Sequence, residues 1–298
     1  MTSKTDPLEQ RRCELQAKLD GHKTQAERNK LGQFATPTQL ARDVLSFGLG
    51  LLRDHEGVRF FDPAIGTGSF YSALLATRQG RRVDWARGFE IDPHYGKPAQ
   101  ELWAGEALQI TFGDFTRQVP PPSDGKCANL VICNPPYVRH HHMTGEEKAR
   151  LQDAAREASN FKLSGLAGLY CYFMALAHKW MSEGGIAGWL IPSEFMDVNY
   201  GRALKTYLLR EVTLLHIHRF DPNDVQFFRD LLTYMNDHYC IDPARIYVDG
   251  VSNGGAMTVQ LACVLNDQLA AVSTVAAAVL RNRVCTPPAP IPLMAAPE

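Results

Sequence analysis

Asn134-Pro135-Pro136-Tyr137 brings two hydrogen-bond acceptors and an aromatic face to one point of the chain. The two prolines fix the backbone and carry no amide donor. The Asn134 side-chain oxygen and the Pro135 carbonyl are then free to accept. An aromatic amine needs such acceptors, because its lone pair is delocalised into the ring and it is a poor nucleophile. Two acceptors on its hydrogens favour a pyramidal nitrogen that faces an electrophilic methyl group. Tyr137 offers a surface for stacking an extruded base, whose removal from a duplex costs about a few kcal/mol. The plainer alternative is a proline-stiffened turn closing a strand. Pro-Pro alone fits that alternative; the full tetrapeptide fits it poorly.

A second group of residues suits a nucleoside cofactor. Asp62-Pro63-Ala64-Ile65-Gly66-Thr67-Gly68-Ser69-Phe70 places an acid just before a glycine turn, where the backbone can approach a ligand closely. A dinucleotide fingerprint would want a further glycine at position 71, which is Tyr. A ligand bearing an amino acid therefore fits better than a pyrophosphate. Glu90 and Ile91 follow in Gly88-Phe89-Glu90-Ile91-Asp92-Pro93, and an acid about 20 residues past the loop suits ribose hydroxyls. In Gly113-Asp114-Phe115, Asp114 can accept from an adenine amino group and Phe115 can cover the ring. Singly, each acid reads as an exposed loop carboxylate. Asp, Glu and Asp at three successive strand ends argue for a cofactor.

The elements that must position these residues alternate strand and helix. Strands are expected at Arg59 to Asp62, Asp84 to Ile91, Gln109 to Gly113, Leu130 to Cys133, Gly185 to Ile191 and Leu214 to Arg219. Helices are expected at Ser69 to Thr77 and Tyr170 to Met181. Met1 to about Lys30 reads as a single exposed, charged helix. Gly32 to Pro37 interrupts it, and Thr36-Pro37 starts a further helix to about Leu52, with Thr36 as its cap. The class is α/β, a doubly wound, mostly parallel sheet that binds ligands at the carboxyl ends of its strands. Past about Gln226 come a strand at Arg245 to Val248, a sharp turn at Gly250 to Gly254, a helix at Ala256 to Leu265 and an apolar run at Ala271 to Val279. Thr286 to Pro297 is Pro-rich and reads as a loose tail.

Composition narrows the setting. The 298 residues carry a formal charge of -1, which gives nucleic-acid binding no support and leaves it to charge segregated on one face. No stretch is apolar enough for a membrane helix, and the first twenty residues lack a secretory core. The seven scattered cysteines read as reduced cytoplasmic thiols. His140-His141-His142 reads as a solvated or DNA-proximal loop rather than a metal site, so no metal is expected.

The ordered segments at Gly32 to Pro37, Asp62 to Phe70, Gly88 to Pro93, Gly113 to Phe115 and Asn134 to Tyr137 together resemble the γ-type adenine-N6 DNA methyltransferases of bacterial restriction–modification systems. Gly184 to Phe195 resembles their fifth-strand segment, and the likeness spans about Arg28 to Gln226. It implies a Rossmann-like fold with S-adenosylmethionine as cofactor and an adenine flipped out of DNA as acceptor. A restriction-system partner would accompany such an enzyme. It implies that Phe34 to Pro37, including Phe34 and Thr36, closes over the cofactor. Asp62, Pro63, Gly66 and Gly68 would lie near its methionine moiety, Glu90 and Ile91 at its ribose, and Asp114 and Phe115 at its adenine. The family's seventh strand and target-recognition domain are not identifiable, which implies impaired and poorly selective methylation.

Residues 225–292 resemble polyhydroxybutyrate depolymerase and feruloyl-esterase-like α/β-hydrolases, through Cys240 to Arg245 and the elbow Gly250-Val251-Ser252-Asn253-Gly254. The expected organisation is a charged helix at 1–31, a methyltransferase core at 32–226 and a hydrolase-like fragment at 227–298. Three other readings stay open at this point: a glutamine-methylating enzyme with the same tetrapeptide, a serine esterase, and an inactive chimeric remnant. The esterase is disfavoured by chemistry. In that fold the general base follows the serine, and no histidine follows His238. Ser252 alone is a weak nucleophile. A fluorophosphonate probe is therefore expected to leave Ser252 unlabelled, and rapid stoichiometric labelling read by peptide mass spectrometry would refute this.

Overall fold

Neighbouring residues of a strand point to opposite faces of its sheet, and the two strands nearest the site send apolar side chains both ways. In β1 (Val58–Asp62), Phe60 joins one buried cluster and Phe61 another. In β4 (Ala128–Cys133), Leu130 and Ile132 join the first and Val131 and Cys133 the second. Strands covered on both faces read as continuous apolar runs, and these do.

The computed structural model describes residues 7–53, 55–122, 126–160, 162–196, 198, 201–217, 225–251, 253–275 and 291–296. They fall into two compact units, 1–215 and 216–298. In the first, β2 (Val83–Glu90), β3 (Leu108–Phe112) and β5 (Met181–Trp189) complete a five-stranded sheet of order β3-β2-β1-β4-β5. Every pairing in it is parallel. The first cluster lies under α3 (Thr38–Leu51), α4 (Ser69–Thr77) and α5 (Pro93–Leu102). On the second face, α7 (Leu169–Ala177) covers an aromatic group of Phe61, Phe89, Phe115, Phe173 and Trp180. A third cluster joins α6 (Gly145–Ser159), α7 and α8 (Arg202–Arg210). The sheet is the expected doubly wound α/β one. Its carboxyl edge carries Asp62, Glu90, Asp114 and Asn134.

Four expectations for this unit are corrected. The apolar helix stops at Ala177 rather than Met181, because a 3-10 turn at His178–Trp180 leads straight into β5. That strand begins at Met181, bulges through Ser182 to Gly185 and pairs regularly from Ile186, so only its second half shows a clean pattern. The expected sixth strand is not formed over 214–217. Leu214, Leu215 and Ile217 are exposed there, and among the described residues β5 hydrogen-bonds only β4; residues 218 and 219 lie outside the described residues. The amino-terminal segment is two helices, α1 (Pro7–Gly21) and α2 (Gln25–Leu31), and α1 is not simply exposed.

Glu9 and Arg12 of α1 are both buried and paired at 2.7 Å. Arg12 also donates to the hydroxyls of Thr67 at 3.3 Å and Ser69 at 3.0 Å, and Gln16 accepts from Thr67 at 2.6 Å. The helix is thus docked on the glycine turn by charge and hydrogen bonds, and Leu8 and Leu19 on the same face pack inward beside them. Burial would push the Glu9 carboxyl up, but hydrogen bonds from Arg12, Ser72 and Thr38 outweigh it and hold it at about 2.

The second unit is described by itself. A three-stranded parallel sheet of order β6-β7-β8 comprises β6 (Tyr247–Val251), β7 (Ala271–Val275) and β8 (Leu293–Ala296). α9 (Val225–His238) and α10 (Asn253–Val264) accompany it, with Leu261, Leu265, Leu269 and Val272 at its core. The strand expected at Arg245 starts at Tyr247, since Pro243–Arg245 form a 3-10 turn capped by Asp242. The tail is not wholly loose, because β8 pairs with β7 from Val272↔Leu293. Ser252 lies outside the described residues. The seven cysteines are not all thiols: Cys263 is disulfide-bonded, while Cys13, Cys127, Cys133, Cys171 and Cys240 are free.

Removing the Arg12 guanidinium should leave Glu9 buried without its cation. Arg12→Ala is expected to lose about 3 kcal/mol or more of stability in urea unfolding. A depressed carboxyl contributes stability above its unfolded value and loses it on acidification. Wild type should therefore lose stability between pH 4.5 and about 2 that Glu9→Gln does not. Superimposable acid-unfolding curves would contradict the pairing.

Candidate active site

Residues 32–37 cross the end of β4 as a strap. Asn134 Nδ2 donates to the Phe34 carbonyl and to Thr36 Oγ1, at 3.2 Å each. With both amide hydrogens engaged, the identity of the other end is settled: it is the oxygen. Asn134 Oδ1 is buried and has no partner among the described residues. A buried acceptor left empty costs about 1–3 kcal/mol, so its persistence points to a ligand hydrogen. Thr36 was expected to cap α3. Instead Pro37 holds the cap position without a side-chain bond, and the Thr36 hydroxyl is turned to Asn134.

The strap is seated by close approach. Gly32 has φ +64°, and a side chain there would collide with the Tyr137 amide. Pro135 is buried and Pro136 half-buried. Tyr137 is fixed at its far end, where its hydroxyl donates to the Leu190 carbonyl at 3.1 Å. Burial and the neighbouring Cys133 raise its phenol to about 12, so it stays neutral. The Phe34 ring stacks on Tyr137 with centroids 5.8 Å apart and planes 29° apart. Sequence reasoning assigned Phe34 to the cofactor; the structure sets its ring against the tetrapeptide.

At the end of β1, Asp62 is 1% exposed and accepts from the Ala64 amide at 3.0 Å, which closes the Pro63 turn. Its burial, less the Ala64 and Cys133 hydrogen bonds, raises its carboxyl to about 7. Gly66 has φ +54°, and an added Cβ would meet open space, as a cradle for a ligand requires. Gly68 lies against the Trp103 indole, whose Nε1 donates to the Thr67 carbonyl at 2.9 Å. Glu90 accepts from the amides of Gly66 at 3.0 Å and Asp92 at 2.7 Å. Burial, the larger cause, and those amides in opposition leave its carboxyl at about 7. Ile91, beside it, is 61% exposed.

The turn after β3, expected to meet the cofactor's adenine, is arranged differently from expectation. One Asp114 oxygen accepts from the amide and hydroxyl of Thr116, and the other faces Arg117 at 3.3 Å. Phe115 is enclosed by Phe61, Phe89, Phe173 and Trp180, so it is turned into the core and not toward a ring. Ile91 and Phe112 are exposed apolar groups at this edge.

Several supports escaped sequence reasoning. Lys23 and Gln33 both bind Asp92, and Lys23 lies 4.9 Å over the Tyr95 ring. Arg150 of α6 donates to the Thr116 carbonyl and hydroxyl, fixing the Asp114 turn. Gln33 stands inside the strap segment, which was a signal; Lys23 and Arg150 sit in ordinary charged helices, which was none.

The set fits a nucleoside that carries an amino acid: open backbone at Gly66, a buried carboxylate for paired hydroxyls, and a second acid beside the turn. The Eco57I restriction-modification methylase family matches residues 77–228, just over half of the chain. The chain belongs to that family. The methylase fold is also found in a putative class I S-adenosylmethionine-dependent methyltransferase of Listeria monocytogenes, with a TM-score of 0.53 and 15% identity over 68% of this chain and 59% of that one. Among curated relatives, the Type II methyltransferase M.AccI of Acinetobacter calcoaceticus is 30% identical over 69% of this chain and 36% of its own length. This methylase chain therefore spans about a third of that relative. A tRNA1(Val) (adenine(37)-N6)-methyltransferase of Pseudoalteromonas atlantica is 26% identical over 65% of this chain and 71% of its own. Feruloyl esterase B of Piromyces equi is 36% identical over 78 residues, a quarter of this chain and 15% of the esterase. No helix of the described residues is long and apolar enough to cross a membrane.

Ribose hydroxyls donating to Glu90 would favour its carboxylate, so binding should work against protonation. S-adenosylmethionine affinity is expected to rise from about pH 6 to about pH 8 and then level off. In Glu90→Gln the affinity should be weaker and its slope smaller, with Asp62 supplying what remains. Titration calorimetry at several pH values measures both, and an unchanged slope in the variant would contradict the assignment.

Proposed function

We propose that this chain transfers the methyl group of S-adenosylmethionine to the N6 amine of adenine in DNA, presented out of the helix. The buried, partnerless Asn134 Oδ1 carries the reading. Its amide hydrogens are tied to the strap, so the oxygen is aimed before any ligand arrives, and preorganised acceptors act without reorganisation during reaction.

S-adenosylmethionine, when bound, supplies a methyl group on a cationic sulfur. Asn134 Oδ1 accepts one hydrogen of the amine and the Pro135 carbonyl accepts the other, which localises the nitrogen lone pair toward the methyl. The same acceptors stabilise the positive charge that the nitrogen would take on as the methyl–sulfur bond breaks and S-adenosylhomocysteine leaves, and the nitrogen would then lose one proton to solvent. Tyr137, neutral and pinned to Leu190, stacks the base. Glu90 binds the ribose hydroxyls and Asp62 holds the turn beside the methionine moiety. The reading assigns residues 32–226 to catalysis and 227–298 to a hydrolase-like segment without its own turnover. A restriction-system partner and cytoplasmic setting go with it.

A second reading keeps the chemistry and places the adenine in RNA, which the likeness to the tRNA enzyme favours. Labelled methyl incorporation into plasmid DNA and into tRNA separates the two. Under the proposal the label enters DNA and is recovered as N6-methyladenine. Asn134→Ala should lower the rate about 100-fold or more while cofactor affinity changes little. Equal incorporation by variant and wild type would remove Asn134 from the mechanism, and incorporation confined to tRNA would favour the second reading.

A further inference from the structure

We propose that Phe34 is the second wall of the acceptor-base site, so that the methylatable purine is held between the Phe34 and Tyr137 rings. This rests on the adenine reading above and deepens it. The observation behind it is a position that cofactor binding does not explain. Phe34 is 47% exposed, yet its ring is stacked on the side chain that follows the two prolines. Its own carbonyl anchors Asn134 Nδ2. One residue thus orients the amine acceptor through its backbone and covers the stacking surface through its side chain.

The geometry suits an occupant rather than a finished core contact. Tyr137 cannot follow a moving partner, because its hydroxyl is tethered to Leu190. The strap backbone cannot move far either, because Gly32 abuts the Tyr137 amide and Thr36 is bonded to Asn134. The Phe34 side chain is the free member of the pair. Two rings bracketing a flat base stand about 7 Å apart, twice the roughly 3.5 Å carbon contact distance. The two rings now touch in an offset stack with centroids 5.8 Å apart, so the Phe34 ring must swing outward by about one ring thickness, roughly 3.5 Å, to admit the base. The partnerless Asn134 Oδ1 sits at the same loop, which supplies the acceptor that a purine amine needs once its ring is clamped. Without a base, Phe34 shields the Tyr137 face from water. With one, the exposed ring is covered on its inner side and the stacking area doubles.

The test uses the full chain, S-adenosylhomocysteine at saturation, and a pentadeoxynucleotide carrying 2-aminopurine between thymines. A base clamped between two aromatic rings is quenched. Wild type should quench the probe on titration. Phe34→Trp and Phe34→Tyr should keep the quenching, and Phe34→Leu and Phe34→Ala should weaken binding about ten-fold or more, with S-adenosylhomocysteine affinity falling less. The leucine variant preserves apolar packing, so a merely structural ring would show no difference between aromatic and aliphatic replacements. Equal binding of the probe by wild type and Phe34→Leu overturns the proposal and leaves the adenine reading standing. Quenching by wild type of a pyrrolocytosine probe in place of 2-aminopurine overturns the adenine reading and leaves a clamp for another base. No quenching of either probe by wild type overturns the clamp.

Discussion

Two hydrogens on one amide nitrogen set the character of this site. By donating to the Phe34 carbonyl and the Thr36 hydroxyl, Asn134 can neither flip nor swing. The cost is an acceptor buried without a partner, and the surrounding structure is built to bear it. β4 ends rigidly in two prolines, Tyr137 is pinned to Leu190, and the strap is held down where Gly32 meets the Tyr137 backbone. A glycine is needed there for two reasons at once, its positive φ and the absence of room. The amino-terminal strap and the fourth strand are a hundred residues apart in sequence and function as one part.

The carboxylates show a related economy. Asp62 and Glu90 are buried within the same turn region, and burial raises both carboxyls to about 7. Among the described residues neither is paired with a cation. Each is satisfied instead by neutral donors: the Ala64 amide and the Cys133 thiol for Asp62, and the Gly66 and Asp92 amides for Glu90. Such a site favours ligands that donate hydrogen bonds, and hydroxyls do so without bringing charge. Asp92, by contrast, faces Lys23 and Gln33, and with His94 they hold its carboxyl low despite burial. Adjacent acids of one loop are thereby given different tasks by what lies across from them.

How much of this was legible depended on whether a feature is local. The helix Ser69–Thr77 and the strands ending at Asp62, Glu90 and Cys133 follow from apolar runs bounded by turn residues. The tetrapeptide and the glycine turn were readable because their chemistry is contained in a few consecutive side chains. The orientation of Asn134 was not, since it depends on Thr36, whose hydroxyl suits a helix cap equally well. Phe115 was misread because a lone phenylalanine at a strand end does not say which way its ring turns. Leu214 to Arg219 looked like a strand by composition, but an apolar run becomes a strand only where a neighbouring edge accepts it. Chemistry in the second unit was read from the elbow motif, whose serine falls outside the described residues.

The docking of α1 has a consequence for how the chain reaches this state. Arg12 precedes the residues whose hydroxyls it binds, Thr67 and Ser69, by more than fifty positions. Until that turn exists, a buried guanidinium and carboxylate have nowhere to go, and the helix is an isolated segment too short to persist in water. Helix α1 is thus made before the turn it docks on and acquires its fixed place only once that turn has formed. Contacts so distant in sequence slow the search for the native arrangement. Detachment of α1 also exposes the buried pair of Glu9 and Arg12 together, so its amides should exchange with solvent as one unit.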